Sequence, residues 1–208
     1  MKRIALLACL LTFIPAVGVA AQTPIAIEGL QVIAERQYAS ETEQAIDTSG
    51  DGVFLVSARV YLFDEADNAE STWDTLVAAE SVEKDLPKDD ASFSYEKTEL
   101  KDVGDRAMIL SINAELTEGT TGTFRTVIAQ RDEMIVTVTA IAGSAEAAEI
   151  ADTLVAEMIE RDPAESESTY DGLGASSGGV WDVFLPADAD GLQGLQAYAD
   201  KETRPATN

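Results

Sequence analysis

Alternation of apolar and polar positions runs through most of the chain and predicts six β-strands. It is clearest between Val53 and Phe63, where every second residue from Phe54 to Leu62 is apolar. A period of two is typical of strands, because successive side chains of a strand point to opposite faces of the sheet. The predicted strands are Leu30 to Tyr38, Val53 to Phe63, Ser92 to Leu100, Arg106 to Leu116, Thr123 to Arg131 and Met134 to Ala142.

Two other segments repeat their apolar residues at three- and four-residue spacing, which predicts amphipathic helices. The first follows Asp64 and has the apolar stripe Ala69, Trp73, Leu76 and Val77. We expect Trp73 to be a core anchor, because large aromatic side chains at such spacing are usually buried. The second begins after the N-cap candidate Ser144 and stops before Pro163. Its stripe is Ala147, Ile150, Ala151, Leu154, Val155 and Met158.

The predicted elements follow one another in the order ββαββββα with short connections. Only Asp132 and Glu133 separate the last two strands, which predicts a tight hairpin. Consecutive strands joined by short connections pair antiparallel. The sequence therefore predicts an α+β fold, with an antiparallel sheet of about six strands covered by two helices.

Composition divides the chain into four parts. Residues 162–179, DPAESESTYDGLGASSGG, are dominated by Pro, Ser, Gly and acidic residues and show no apolar period. Such a composition is typical of a flexible linker. The predicted organisation is a signal peptide over residues 1–21, an α+β domain over residues 25–161, the acidic linker, and a C-terminal tail over residues 180–208.

The N-terminal segment has the three parts of a secretory signal. Lys2 and Arg3 supply positive charge, residues 4–19 are apolar, and Ala20 and Ala21 form a small-residue cleavage site before Gln22. The sequence therefore predicts export, with the protein secreted or held in the cell envelope. Cleavage after Ala21 would also remove Cys9, the only cysteine of the chain.

The C-terminal tail carries a short apolar segment beyond the linker, with Trp181, Phe184 and Leu185 close together. Leu192, Leu195 and Ala199 follow at helical spacing. Exposed chain rarely keeps such a group of apolar residues unburied. Two interpretations follow: the segment folds back onto the domain, or it anchors a partner protein. Trp181, Phe184 and Leu185 are accordingly the candidate partner-binding residues.

Charge and composition exclude several function classes. The chain has 38 acidic residues, 14 basic residues and no histidine, which gives a net charge of −24. Removing Lys2 and Arg3 with the signal would leave 12 basic residues and a charge of −26. The missing histidines exclude Ser-His-Asp and Cys-His machinery and the usual zinc sites. The acidity disfavours nucleic acid and, after signal removal, membrane surfaces. We therefore expect no catalytic residues, no metal and no cofactor.

Two groups of residues still suggest chemistry. Residues 47–52, DTSGDG, match the first half of a calcium loop, but Ala58 stands where the loop needs a bidentate carboxylate, so a turn is favoured. Arg59 shares a strand face with Tyr61, and Arg125 shares one with Arg131. These arginines could form an anion or peptide site, or could pair with acids of neighbouring strands, which is the favoured interpretation.

The order of elements resembles the PsbP-like α/β/α sandwich and the small extracellular sensor domains of bacterial envelope proteins. The resemblance rests on Asp105-Arg106-Ala107, on the stretch FRTVIAQRDEMIVTVTAIAG, and on the helix that runs to Arg161. It implies a binding or assembly module. The predicted function is accordingly a non-catalytic domain that binds an envelope or extracellular protein. The alternatives are a secreted hydrolase that uses carboxylates alone and a calcium-dependent structural protein.

Overall fold

Seven strands and three helices make up the part of the chain that the structure describes. The structure is a computed structural model, and it describes residues 27–40, 52–80, 93–117, 120–161, 192 and 195–203. The strands are β1 (Leu30–Ser40), β2 (Val53–Phe63), β3 (Phe93–Glu99), β4 (Arg106–Thr117), β5 (Thr120–Arg131), β6 (Met134–Ala142) and β7 (Leu195–Thr203). The helices are α1 (Ala66–Glu80), α2 (Ala145–Ala148) and α3 (Ile150–Ile159).

All seven strands belong to one antiparallel sheet with the order β3-β4-β5-β6-β2-β1-β7. The six strands predicted from alternation are present, and so are the two helical regions. The α+β class and the antiparallel sheet are thereby confirmed. The structure adds β7, which pairs with β1 and extends the sheet past Arg161.

Each face of the sheet is covered by a helix. Val56, Ala58 and Val60 of β2 belong to the same buried cluster as Leu154 and Met158 of α3. The alternate residues Tyr61 and Phe63 belong to a second cluster, with Trp73, Leu76 and Val77 of α1. Because β2 contributes to both clusters, it is buried on both faces, whereas the edge strand β3 is largely exposed.

The connections follow the predicted turn and cap positions. Asp132 and Glu133 form the two-residue hairpin between β5 and β6, and Asp132 takes a positive φ of 49° without a glycine. Asp and Asn visit this left-handed region more readily than other non-glycine residues. Ser144 caps α2 by accepting a hydrogen bond from the Ala147 N–H at 3.1 Å. The single predicted helix is divided at Glu149, whose N–H bonds to the Glu146 carbonyl three residues back at 3.2 Å.

The helical spacing of Leu192, Leu195 and Ala199 is not realised as a helix, because Leu195–Thr203 forms strand β7. The ladder with β1 explains the difference: a strand edge offers unpaired backbone groups, and tertiary pairing routinely overrides local propensity. Leu192 is buried and belongs to the α3-side core cluster.

Within the described residues, no helix is both long enough and apolar enough to cross a membrane.

Candidate functional site

The most concentrated group of charges in the described residues surrounds Arg59 on β2. Arg59 Nη2 lies 3.2 Å from Glu35 Oε2, and Arg59 Nη1 lies 3.1 Å from Glu80 Oε1. Nη1 also donates to the Tyr61 hydroxyl at 3.2 Å. Gln37 Nε2 donates to Glu35 Oε1 at 2.6 Å. One guanidinium therefore holds two carboxylates, and we call Glu35, Arg59, Tyr61 and Glu80 the Arg59 cluster.

Three elements bring this cluster together. Glu35 of β1 is directly opposite Arg59 in the β1–β2 ladder, and Tyr61 follows Arg59 by two residues on the same face. Glu80 is the last residue of α1, which lies over that face. The side chains of Arg59, Glu35 and Glu80 are each only 13% exposed. The cluster therefore joins the end of α1 to β1 and β2, and its charged side chains have little contact with water.

The electrostatics of the cluster follow from burial and from the excess of one negative charge. Burial raises the pKa of Glu80, and the neighbouring Glu35 raises it further, against the opposing attraction of Arg59. Burial also raises the pKa of Tyr61, although Arg59 works in the opposite direction. For Arg59 burial lowers the pKa, but the charges of Tyr61, Glu80 and Glu35 outweigh it and raise the pKa overall.

Chemically, the arrangement can hold α1 against the sheet and can take up a proton at Glu80. A carboxyl group with a raised pKa beside a second carboxylate is also the minimum equipment for acid–base work. Among the described residues, no group of three or more His, Cys, Asp or Glu is placed to hold a metal ion.

Arg125 and Arg131, the other arginines of the candidate anion or peptide site, lie on the opposite face of the sheet. Both reach α3 or the residue that follows it. Arg125 makes a two-pronged contact with Asp152 of α3, with Nε–Oδ1 at 2.6 Å and Nη2–Oδ2 at 2.5 Å. This hydrogen bonding to Asp152 raises the pKa of Arg125. Arg131 Nη1 lies 3.1 Å from Glu160 Oε2. Pairing with an acid of a neighbouring strand, the favoured interpretation, is confirmed for Arg59 with Glu35. For Arg125 and Arg131 it is wrong, because their partners Asp152 and Glu160 lie in and directly after α3.

Trp73 is only 6% exposed, which confirms the prediction of a core anchor. Its ring is also covered by Arg106 of β4, whose guanidinium carbon lies 4.6 Å from the ring centroid. Arg106 Nε donates to Gln130 Oε1 at 2.7 Å, and Nη2 donates to the Glu70 carbonyl at 3.1 Å. Cation–π geometry and two hydrogen bonds thus hold Arg106 between the sheet and α1.

The candidate partner-binding residues Trp181, Phe184 and Leu185 lie outside the described residues, as do Asp47 and Asp51 of the partial calcium loop. Sequence reasoning did not find Glu35 and Glu80, although it had placed Arg59 with Tyr61. Finding Glu35 requires the β1–β2 register, and finding Glu80 requires knowing which face α1 covers. Neither can be read from periodicity.

Comparisons with known proteins show little similarity. No family model matches the chain, and no match was found among curated proteins. One similar solved structure is the crystal structure of PA94, a protein of unknown function from Pseudomonas aeruginosa, whose sequence is 15% identical to this one. The alignment covers 74% of this chain and 90% of that chain, with a TM-score of 0.29. That score is too low to carry an argument about fold or function, so the resemblance to PsbP-like and sensor domains stays a prediction.

Proposed function

We propose that this protein is an exported, non-catalytic binding or assembly domain whose partner is a protein of the cell envelope or the extracellular space. The observation that supports it is the internal pairing of charges that are largely buried. Arg59 is shared by Glu35 and Glu80, and Arg125 is engaged by both oxygens of Asp152. Because these charges pair with one another, they stabilise the packing of the helices on the sheet. The proposed partner therefore binds other, outer surfaces of the domain.

Two regions are the proposed contacts. The first is the apolar tail segment with Trp181, Phe184 and Leu185, because aromatic residues are enriched where proteins bind one another. The second is the periphery of the sheet, since α1 and α3 pack mainly on β2, β5 and β6. The acidic surface fits a basic protein partner better than an acidic one, because complementary charge accelerates encounter.

Export is tested by mass spectrometry of the mature protein in the producing cell. We expect the extracytoplasmic fraction to contain a chain that begins at Gln22. Replacing Lys2 and Arg3 with Glu should retain the protein in the cytoplasm at full length, because signal function needs the positive segment. A full-length protein in the cytoplasm of unmodified cells would overturn the proposal.

Partner binding is tested by photo-crosslinking in the same cells. A benzoylphenylalanine at Phe184 should give a discrete adduct, whereas the same residue at Asp188, a polar site in the same tail, should give none. Combining the crosslinker with Trp181→Ala and Leu185→Ala should abolish the adduct if the apolar segment is the contact. Equal labelling from Phe184 and Asp188 would argue against a specific site.

A carboxylate hydrolase is the second candidate, and the raised pKa of Glu80 beside Glu35 is the observation that favours it. The two carboxylates give the discriminating variants. Under the proposed function, the full chain hydrolyses no glycoside or ester substrate, and Glu80→Gln and Glu35→Gln change stability only. A hydrolysis rate that falls by two orders of magnitude or more in either variant would establish the enzyme instead.

A further inference from the structure

Strand β7 has a composition that does not favour the conformation it adopts. Five of its nine residues, Ala197, Ala199, Asp200, Lys201 and Glu202, belong to types that are depleted in strands. Leu195 and Ala199 of this strand also belong to the helical spacing described above. The strand therefore depends on its ladder with β1 more than on its own propensity.

The β1–β7 register pairs sequence positions that carry opposite charges. Glu35 is at the register position of Lys201, and Arg36 is at the register position of Asp200. Opposite charges at directly opposed positions stabilise an antiparallel pair, and like charges destabilise it. Glu35-Arg36 on β1 and Asp200-Lys201 on β7 both run from an acidic to a basic residue. Opposite charges therefore occupy paired positions only when the added strand runs antiparallel to β1 and in this register.

Strand β7 lies at one edge of the sheet, as β3 does at the other, so the other six strands would remain paired with one another without it. It borders β1 alone, at one end of the sheet, and the helices pack mainly on β2, β5 and β6. In the sequence, 35 residues, 160–194, separate β7 from the end of α3. The register is also interrupted between Gln37 and Tyr38, so the ladder is not regular throughout.

We propose that β7 is a displaceable strand that occupies the β1 edge, and that a partner protein binds there by adding an extended segment in its place. This inference rests on the proposed binding function and names where one partner segment would bind. The segment runs antiparallel to β1, carries an acidic residue followed by a basic one opposite Arg36 and Glu35, and contains β-branched residues where β7 has Ala197 and Ala199. Addition of a strand to a sheet edge supplies main-chain hydrogen bonds for affinity, and the charges supply register.

Synthetic peptides of residues 195–203 test the proposal by fluorescence anisotropy with the full chain. The peptide carrying Ala197→Val and Ala199→Val should bind more tightly than the native sequence, by roughly fivefold for each substitution, because strand propensities span about that range. A control peptide with Asp200→Lys and Lys201→Asp in addition to both valines should bind at least about fivefold more weakly than the valine peptide, because like charges would then oppose Arg36 and Glu35.

A disulfide that locks β7 in place supplies the decisive comparison. Ala39 and Gln196 are partners in the ladder, so Ala39→Cys and Gln196→Cys, in a chain that also carries Cys9→Ser, can be joined by oxidation. The valine peptide should bind the reduced protein and lose binding to the oxidised one. Equal binding to both forms, or no binding to the reduced form, would overturn the displaceable strand. Either failure leaves the crosslinking test at Phe184 unaffected, so the proposed function would stand or fall separately.

Discussion

Arg59 is the residue on which the buried charge of the sheet converges, since it contacts Glu35, Glu80 and Tyr61 from three different elements. Taking carboxylates out of water costs free energy, which the shared guanidinium offsets only while it is present. A single side chain therefore decides whether two nearly buried carboxylates are compensated.

Replacing Arg59 with Met should lower the free energy of unfolding by about 3–5 kcal/mol, because it leaves Glu35 and Glu80 uncompensated and close together. Urea denaturation at neutral pH measures the change. Arg131→Met is the matched control: its pair with Glu160 is 42% and 67% exposed, so the expected loss is below about 1 kcal/mol. Similar losses in the two variants would show that the Arg59 cluster is not a special point of stability.

The pH dependence of stability provides a second test of the Arg59 cluster. Burial raises the pKa of Glu80 above 4.5, so the folded chain retains a proton that the unfolded chain has released. The folded state then binds more protons, and the free energy of unfolding falls as pH rises from 4.5 through the folded-state pKa of Glu80.

Glu80→Gln should remove this contribution, which reaches at most about 1.4 kcal/mol per pH unit. The measurement is a series of urea denaturations across that range for the wild type and the variant. Asp74→Asn, at an exposed carboxylate of the same helix, is the control and should leave the wild-type slope in place. Parallel curves for wild type and Glu80→Gln would contradict the assignment.

At the scale of elements, the loop before β4 is held against the end of β5. The Asp105 N–H donates to the Gln130 carbonyl at 2.7 Å, and the Asp132 N–H donates to Asp105 Oδ2 at 2.9 Å. Gly104 permits this approach, because its φ is +59° and a Cβ at this position would collide with the Gln130 carbonyl oxygen. The two turns therefore form one unit at this end of the sheet.

Gly104→Ala should destabilise the protein by about 1–3 kcal/mol, through the positive φ and the collision with a backbone oxygen that cannot move away easily. Gly52→Ala is the control, since a Cβ at Gly52 meets nothing within 4 Å and its φ lies outside the left-handed region. Thermal unfolding of both variants checks the difference. If Gly104→Ala unfolds at the wild-type temperature, the loop does not need its close approach to β5.

For the whole molecule, the dominant physical feature is the net charge of −24, in a chain of 208 residues. Like charges at this density repel one another, which favours solubility and destabilises the compact state. Salt screens the repulsion, because the Debye length falls from roughly 30 Å at 0.01 M to 3 Å at 1 M ionic strength.

The melting temperature should therefore rise as NaCl is increased from about 0.01 M to about 1 M, over which screening becomes nearly complete. Thermal unfolding followed by circular dichroism measures it. At matched ionic strength, calcium and magnesium should have equal effects. A further rise specific to calcium would instead support the calcium-dependent structural alternative, because a ligand that binds only the folded state stabilises it.

The sequence predicts the strands of this fold well, because alternation is a local consequence of strand geometry. The segment Val53–Phe63 is predicted with both of its ends, and the Asp132-Glu133 turn is found without a glycine. The stripe that begins at Ala69 predicts α1 for the same reason, since a helical period is also visible within a few residues. Local patterns can be read wherever the side chains of one element alone report its conformation.

Periodicity and composition thus establish the α+β class, six strands, the helical regions and the exclusion of histidine chemistry. The meeting of Glu35 and Glu80 at Arg59, and the strand conformation of residues 195–203, arise only in the folded chain. Both depend on contacts between residues far apart in the chain, where pairing register and packing outweigh local propensity.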